Sequence, residues 1–173
     1  MDDDDIENES DEAEGPILVQ RALLALYLVM WSLHWSAKGD PSYGDHLLWD
    51  RAQKRIRKDV DRVAELVASI YESDVLDPLA SMPDIHETLT VEHPDQSAPV
   101  RALAVLDYVS SLVVLVHDNL SDNELTDEQQ LAAENVLAGV ADHLNELAYL
   151  IQQRLGGPEA AEAMRDRFNA SDD

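Results

Sequence analysis

The sequence contains no cysteine and few basic residues. Without cysteine the chain has no disulfide bond, no thiolate metal site and no cysteine nucleophile, which is compatible with a cytoplasmic protein. Twelve lysines and arginines face 36 acidic residues, so the formal net charge is −24. Because affinity for DNA depends mainly on cations that neutralise phosphates, this balance argues against nucleic acid as a partner.

Long hydrophobic runs are also absent. The longest, from Ala22 to Leu33, covers twelve residues with Ser32 among them, and we expect it to be too short to span a membrane. The N-terminus is acidic and then apolar, so it does not resemble a signal peptide. Both features predict a cytoplasmic location.

Acidic residues are concentrated at the N-terminus, where nine fall in the first fourteen positions. We expect residues 1–14 to form a disordered, solvated tail. The acidity has two explanations, which the composition leaves open. It is either an adaptation to a salt-rich cytoplasm, where screening makes dense surface charge tolerable, or a means of attracting cations.

The remaining sequence has helical patterns and no strand pattern. It predicts an all-α domain at 15–157, followed by a C-terminal tail at 158–173 with a short helix at 159–168. Ser97 is a candidate N-cap, Thr126 with Gln129 resembles a capping box, and Gly156-Gly157-Pro158 should end the last helix. The predicted long helices are 17–37, 43–73, 97–119 and 126–155, with a short helix at 84–89.

These lengths favour one topology. The first two helices are joined by a short loop, and so are the last two, whereas about 23 residues connect the second helix to the third. Such a crossover can travel the length of a four-helix bundle, as in ferritin-like folds.

Metal-ligand residues recur along the second predicted helix. His46, Asp50, Asp61 and Glu65 share one broad face, because their offsets of four, eleven and four are near multiples of 3.6. One chain cannot bring all four to one metal, since His46 and Glu65 lie roughly 28 Å apart along the axis.

The spacing is symmetric about a point between residues 55 and 56. An antiparallel copy of the helix crossing there sets His46 opposite Glu65 of the copy, and Asp50 opposite its Asp61. Two equivalent metal sites then form at a two-fold interface, roughly 22 Å apart along the axis.

The same residues carry a family resemblance. HWSAKG at 34–39 resembles the H-W-x-x-K-G of Dps proteins, the twelve-subunit mini-ferritins of the ferritin-like superfamily. HLLWD at 46–50 resembles their H-x-x-x-D, and the acidic pair at 61 and 65 matches in spacing. The motifs cover the first two helices only. The resemblance implies that His34, His46 and Asp50 act with Asp61 and Glu65 of the two-fold mate, and Glu65 is the best candidate for bridging two irons.

The implied function is a ferroxidase that stores iron. Two Fe(II) per site would be oxidised, preferably by hydrogen peroxide, and Fe(III) oxide kept inside a hollow dodecamer as protection against oxidative damage. The ligand types suit this chemistry, because imidazole binds Fe(II) well and carboxylates bind both Fe(II) and Fe(III). There is no Glu-x-x-His, so the intrachain di-iron motif of larger ferritins is absent from the sequence.

Other residues have two interpretations each. Trp35 is either a radical trap beside the iron or a packed interface aromatic, and Lys38 either pairs with a carboxylate near the site or caps its helix. Four further histidines lack a paired ligand spacing, so we interpret them as ordinary surface or core residues: His86, His93, His117 and His143.

Half of all bases lie on the second helix. We expect this cluster to pair with Asp59, Asp61 and neighbouring acids rather than with nucleic acid. The chain departs from the family in its acidic tail, so direct DNA compaction is doubtful. It also has Leu47 and Arg51 where many members have Glu, so mineral nucleation would depend on other acids facing the cavity. The cluster consists of Arg51, Lys54, Arg55, Arg57, Lys58 and Arg62.

In the Dps proteins that this chain resembles, cations enter the shell through three-fold channels near the start of the fourth helix. Converging acids there would form a negative funnel for Fe(II), although acids at a helix start are also favoured by the helix dipole. Asp122 and Glu128 are our first choices among the candidates. The candidates are Asp118, Asp122, Glu124, Asp127 and Glu128.

Two rival functions remain at the level of sequence. One is a shell protein that protects DNA mainly by associating with it, against which the charge argues. The other is a bundle whose acids and histidines form only a solvated face, in which case the symmetric spacing of five ligand-type residues would be coincidence.

Overall fold

The structure, a computed structural model, describes residues 15–37, 42–71, 73–90, 97–120 and 125–160. In these ranges the chain is helical and contains no strand. The long helices are α1 (Gly15–Ser36), α2 (Ser42–Ile70), α4 (Ala98–Asp118) and α5 (Asp127–Arg154), and α3 (Pro78–Thr90) is shorter. A 3₁₀ turn at Ser73–Leu76 precedes α3.

The four long helices form the bundle that the helix lengths predicted. α1 packs against α2 and α4, and α5 packs against α2 and α4. Apolar positions on all four helices meet in one core, which burial of large side chains stabilises. The largest fully buried side chains include Leu23, Leu26, Met30, Ile56, Leu103, Leu106, Leu137, Leu144 and Ile151.

The crossover contains more helix than the sequence predicted. A helix was expected at 84–89, whereas α3 runs from Pro78 to Thr90 with Pro83 inside it. α3 packs on α1, where Ile85 is buried and Asp84 accepts a hydrogen bond from Arg21. Tertiary packing therefore extends a helix through a proline that local propensity would place at its end.

The helix ends match the predicted caps with one difference. Thr126 and Gln129 form the reciprocal capping box of α5, and Gly156 and Gly157 follow α5 with φ of 99° and 100°. Ser97 is the N-cap of α4, but its side chain makes no capping hydrogen bond. The predicted acidic tail at 1–14 lies outside the described residues, as does most of the predicted helix at 159–168.

Two bundle helices are long and apolar enough to cross a membrane by length and composition, namely α1 and α4. The expectation from the apolar run at 22–33 did not include these two helices, because polar residues interrupt the apolar sequence of each helix. About half of each apolar stretch is buried inside the fold, at 56% for α1 and 44% for α4. Core helices of soluble proteins pass the same test, so two such helices carry little weight as evidence for a membrane span.

Candidate metal centre

The candidate centre begins where the α1–α2 hairpin turns. His34 lies in the last turn of α1 and His46 in the first turns of α2, and the hairpin stacks the two imidazole rings with centroids 4.1 Å apart. Twelve positions separate them in sequence, so this pairing depends on the hairpin and not on spacing within one helix.

Each imidazole is held by the backbone of the opposite helix. His34 Nδ1 lies 3.3 Å from the carbonyl oxygen of His46, and His46 Nδ1 lies 3.2 Å from the carbonyl oxygen of His34. Because a carbonyl oxygen can only accept, each Nδ1 carries the proton and donates it. Each Nε2 then keeps its lone pair, which is the tautomer that a metal-binding histidine requires.

Asp50 lies one turn after His46 and forms an ion pair with Lys54. Its Oδ2 is 2.6 Å from Lys54 Nζ, and its Oδ1 accepts a longer hydrogen bond from Gln53. The hydrogen bond from Lys54 lowers the pKa of Asp50, and the desolvation caused by burial opposes this effect. Asp50 is therefore ionised and close to the histidine pair, but a metal must displace Lys54 to use it fully.

Asp61 and Glu65 lie further along α2. Both are exposed, and eleven residues of helix separate Asp50 from Asp61, roughly 17 Å along the axis. In the described parts of the chain, no three His, Asp or Glu side chains are close enough together to hold a metal ion. The structure of one chain thus stacks His34 on His46, places Asp50 one helical turn after His46 without completing a group of three, and leaves Asp61 and Glu65 further along α2.

Trp35 lies beside the histidine pair. Its ring meets His34 edge to face, with centroids 5.6 Å apart, and its side chain is 68% exposed. In a single chain it is not a packed aromatic, so both interpretations of Trp35 depend on what covers this surface. Lys38 and His93 lie outside the described residues.

The fold was compared with known proteins. No protein-family model and no curated protein sequence matches the chain. A solved structure of a Mycobacterium smegmatis Dps1 mutant superposes with a TM-score of 0.63 and 18% sequence identity, covering 84% of this chain and 95% of that one. The chain therefore has a Dps-like, ferritin-type four-helix bundle fold. At this identity the likeness establishes the ferritin-like bundle, and the ligand roles rest on the residues themselves.

The basic cluster pairs with carboxylates as expected, including Lys54 with the neighbouring Asp50, but some of the partners differ. Glu146 on α5 accepts from Arg51 at 2.7 Å and pairs with Arg55 at 3.5 Å. Asp61 has no basic partner within 4.0 Å among the described residues, so the predicted pairing with Asp61 was wrong. The sequence missed these contacts because they join α2 to α5, and spacing along α2 carries no information about α5.

Asp59 interacts with the cluster only through the charges of Arg55 and Arg62, and its hydrogen bond is to a histidine. Its Oδ1 accepts from His143 Nδ1 on α5 at 2.8 Å. Burial raises the pKa of Asp59, and the hydrogen bond from His143 and the charges of Arg55 and Arg62 oppose that rise. His143 is thus a partly buried structural histidine, in keeping with its interpretation as an ordinary one.

The candidate channel acids are only partly described. Asp118 ends α4 and lies 3.2 Å from His117, whereas Asp127 and Glu128 occupy the first turn of α5. All three carboxylates are exposed. Asp122 and Glu124 lie outside the described residues. The helix-dipole explanation and the channel explanation both stay open for Asp127 and Glu128.

Proposed function

We propose that this protein is a cytoplasmic ferroxidase and iron-storage mini-ferritin that protects against oxidative damage. It oxidises Fe(II) at sites shared by two subunits of a homo-oligomer, which we expect to be a dodecamer. The observation that carries the proposal is the stacked pair of His34 and His46, whose Nδ1 contacts leave both Nε2 atoms available to a metal.

The exposed surface around this pair supports a second copy. Leu28, Trp31 and Trp35 follow one stripe of α1, and Tyr43 and Leu47 extend it onto α2. All five side chains are exposed in the single chain. Large exposed apolar side chains of this kind are typical of an interface. A two-fold partner covering it would bring its own α2, and with it Asp61 and Glu65.

The chemistry follows from the completed ligand set. His34, His46 and Asp50 of one subunit, with Asp61 and Glu65 of the other, provide two imidazoles and three carboxylates for two Fe(II). One hydrogen peroxide takes one electron from each iron and, with two protons, yields two water molecules and two Fe(III). Because both electrons go to a single peroxide, no hydroxyl radical is released. The few protein ligands leave coordination positions for the oxidant.

Titration of the iron-free protein with Fe(II) and hydrogen peroxide tests this function. Ferric absorbance should saturate its first phase at about two Fe(II) per chain, and substitution of His46 by Ala should abolish that phase. The matched control is His86→Ala, because His86 is exposed on α3, far along the chain from the pair. Equal rates in both variants, or full activity from a species with monomer mass, would contradict the proposal.

A further inference from the structure

A groove between α2 and α5 is positively charged, although the chain as a whole is strongly acidic. Its volume is about 320 Å³. Four basic and two acidic side chains line it, so its formal charge is +2 against −24 for the chain. The charged lining residues are Asp50, Arg51, Lys54, Arg55, Lys58 and Glu146.

The carboxylates present do not neutralise these bases. Glu146 is shared between Arg51 and Arg55, and Asp50 is paired with Lys54. Lys58 is exposed, and among the described residues no carboxylate lies within 4.0 Å of its ammonium group. The groove therefore presents unshared N–H donors from two guanidiniums and one whole ammonium group to an incoming anion.

We propose that this groove binds a small tetrahedral oxyanion of the phosphate or sulfate class. Guanidinium forks and ammonium groups are the side chains that bind such oxygens by charge-assisted hydrogen bonds. The groove should prefer a small oxyanion to a nucleic acid. At physiological ionic strength the screening length is about 8 Å, so the energy of a small ion in the groove depends mainly on the charges that line it. A nucleic-acid backbone extends far beyond the groove and meets the surrounding acidic surface.

Lys54 connects this groove to the candidate metal centre. It donates to Asp50 at 2.6 Å and also lines the groove. An oxyanion that attracts Lys54 weakens its hold on Asp50, so the carboxylate becomes available to a metal. The two binding events then favour each other, and the coupling is the same in both directions. This consequence, unlike the groove itself, rests on the proposed function.

Calorimetric titration of the metal-free oligomer with inorganic phosphate at about 0.15 M ionic strength, where the screening length is about 8 Å, tests the groove directly. We expect saturable binding of about one phosphate per chain, weakened about tenfold by Lys58→Met, which removes a charged donor. Arg57→Met is the matched control, since Arg57 is an exposed base on the same helix that does not line the groove. Its affinity should stay within about twofold of wild type.

Competition distinguishes the class of ligand. Sulfate should displace phosphate, whereas a short single-stranded oligonucleotide should not. No saturable binding at millimolar phosphate, an equal loss in Lys58→Met and Arg57→Met, or displacement by the oligonucleotide alone would overturn the proposal.

A second titration tests the coupling, with Fe(II) added anaerobically at constant ionic strength in sulfate or in chloride. Fe(II) should bind more tightly in sulfate to wild type, and equally in both salts to Lys54→Met. If phosphate binds in the groove but Fe(II) binds nowhere, the coupling and the proposed function fail while the oxyanion site stands. If Fe(II) binds without phosphate binding, the groove proposal fails and the ferroxidase stands.

Discussion

The buried carboxylate of Asp59 is a single side chain that lowers the stability of the folded state when it is ionised. Its side chain is only 1% exposed, in the region where α2 packs on α5. Oδ1 is satisfied by His143, but the buried Oδ2 has no hydrogen-bond partner. A buried ionised carboxylate with half of its acceptor capacity unused is unfavourable, which is why burial raises the pKa of Asp59.

The raised pKa of Asp59 predicts a pH dependence of stability. The folded state holds the Asp59 proton more tightly than the unfolded state, so the stabilisation from this group is complete below its ordinary pKa of 3.8. That stabilisation is lost as the pH rises through the folded pKa. The free energy of unfolding of wild type minus that of Asp59→Asn should therefore fall over this window in urea titrations. Asp142→Asn, an exposed change beside His143, is the control. An unchanged difference across the window would contradict this account of Asp59.

Sequence spacing was informative about the site only within single helices. It identified His46, Asp50, Asp61 and Glu65 as one face of α2, and α2 is helical through all four positions. The Asp50–Lys54 pair was readable too, because an acid followed by a base four residues later commonly pairs on a helix. The contacts of Asp59 and Glu146 were not readable, since they depend on how α5 packs.

At the scale of elements, the two N-caps of the second hairpin differ. Thr126 accepts from the backbone N–H of Gln129 at 3.3 Å, and Gln129 Oε1 accepts from the backbone N–H of Thr126 at 3.0 Å. Ser97 occupies the same position on α4 without a side-chain hydrogen bond. The two sites therefore form a natural pair for measuring what a cap contributes.

Replacing Thr126 by Ala should lower the free energy of unfolding by about 1 kcal/mol, because the backbone N–H of Gln129 loses its acceptor, although the backbone N–H of residue 126 can still donate to Gln129 Oε1. Ser97→Ala should change it by no more than about 0.5 kcal/mol. Urea unfolding of both variants at one fixed protein concentration makes the comparison. If both substitutions lower the free energy of unfolding equally, the side-chain hydrogen bond of Thr126 contributes no measurable stability.

The four bundle helices and their order were predictable, because apolar periodicity and turn residues lie within the elements themselves. The extent of α3 was not. Pro78 and Pro83 suggested a mostly irregular connection, and only the packing of α3 on α1 explains a helix of 13 residues. Local signals predict where helices begin and end on average, and tertiary contacts extend or shorten them.

At the scale of the whole molecule, the proposed function links acidity to iron uptake. A chain with net charge −24 surrounds itself with cations, and converging acids at a channel would raise the local Fe(II) concentration further. Under the proposed function, the exposed carboxylates at the start of α5 would take that role where subunits meet around a three-fold axis.

Neutralising Asp122 and Glu128 together, as Asn and Gln, should slow iron uptake several-fold at low ionic strength. The effect should shrink as salt is added, because screening removes long-range attraction. Stopped-flow absorbance gives the rate, and native mass confirms that assembly is intact. A separate variant, Asp142→Asn, is the control, because it removes a negative charge from α5 outside the candidate channel. Wild-type uptake kinetics at low salt in the double variant would exclude this region from the uptake path.

The central claim is that each ferroxidase site is built from two subunits. Co-expressing a His46→Ala chain with a differently tagged Glu65→Ala chain, and purifying the mixed dimers, tests it most directly. In a mixed dimer one site carries both lesions and the other carries neither, so ferric absorbance should recover to about half of the wild-type rate, while each parent variant alone stays inactive. Sites contained within one chain would leave every site damaged, and verified mixed dimers without any recovery would contradict the account.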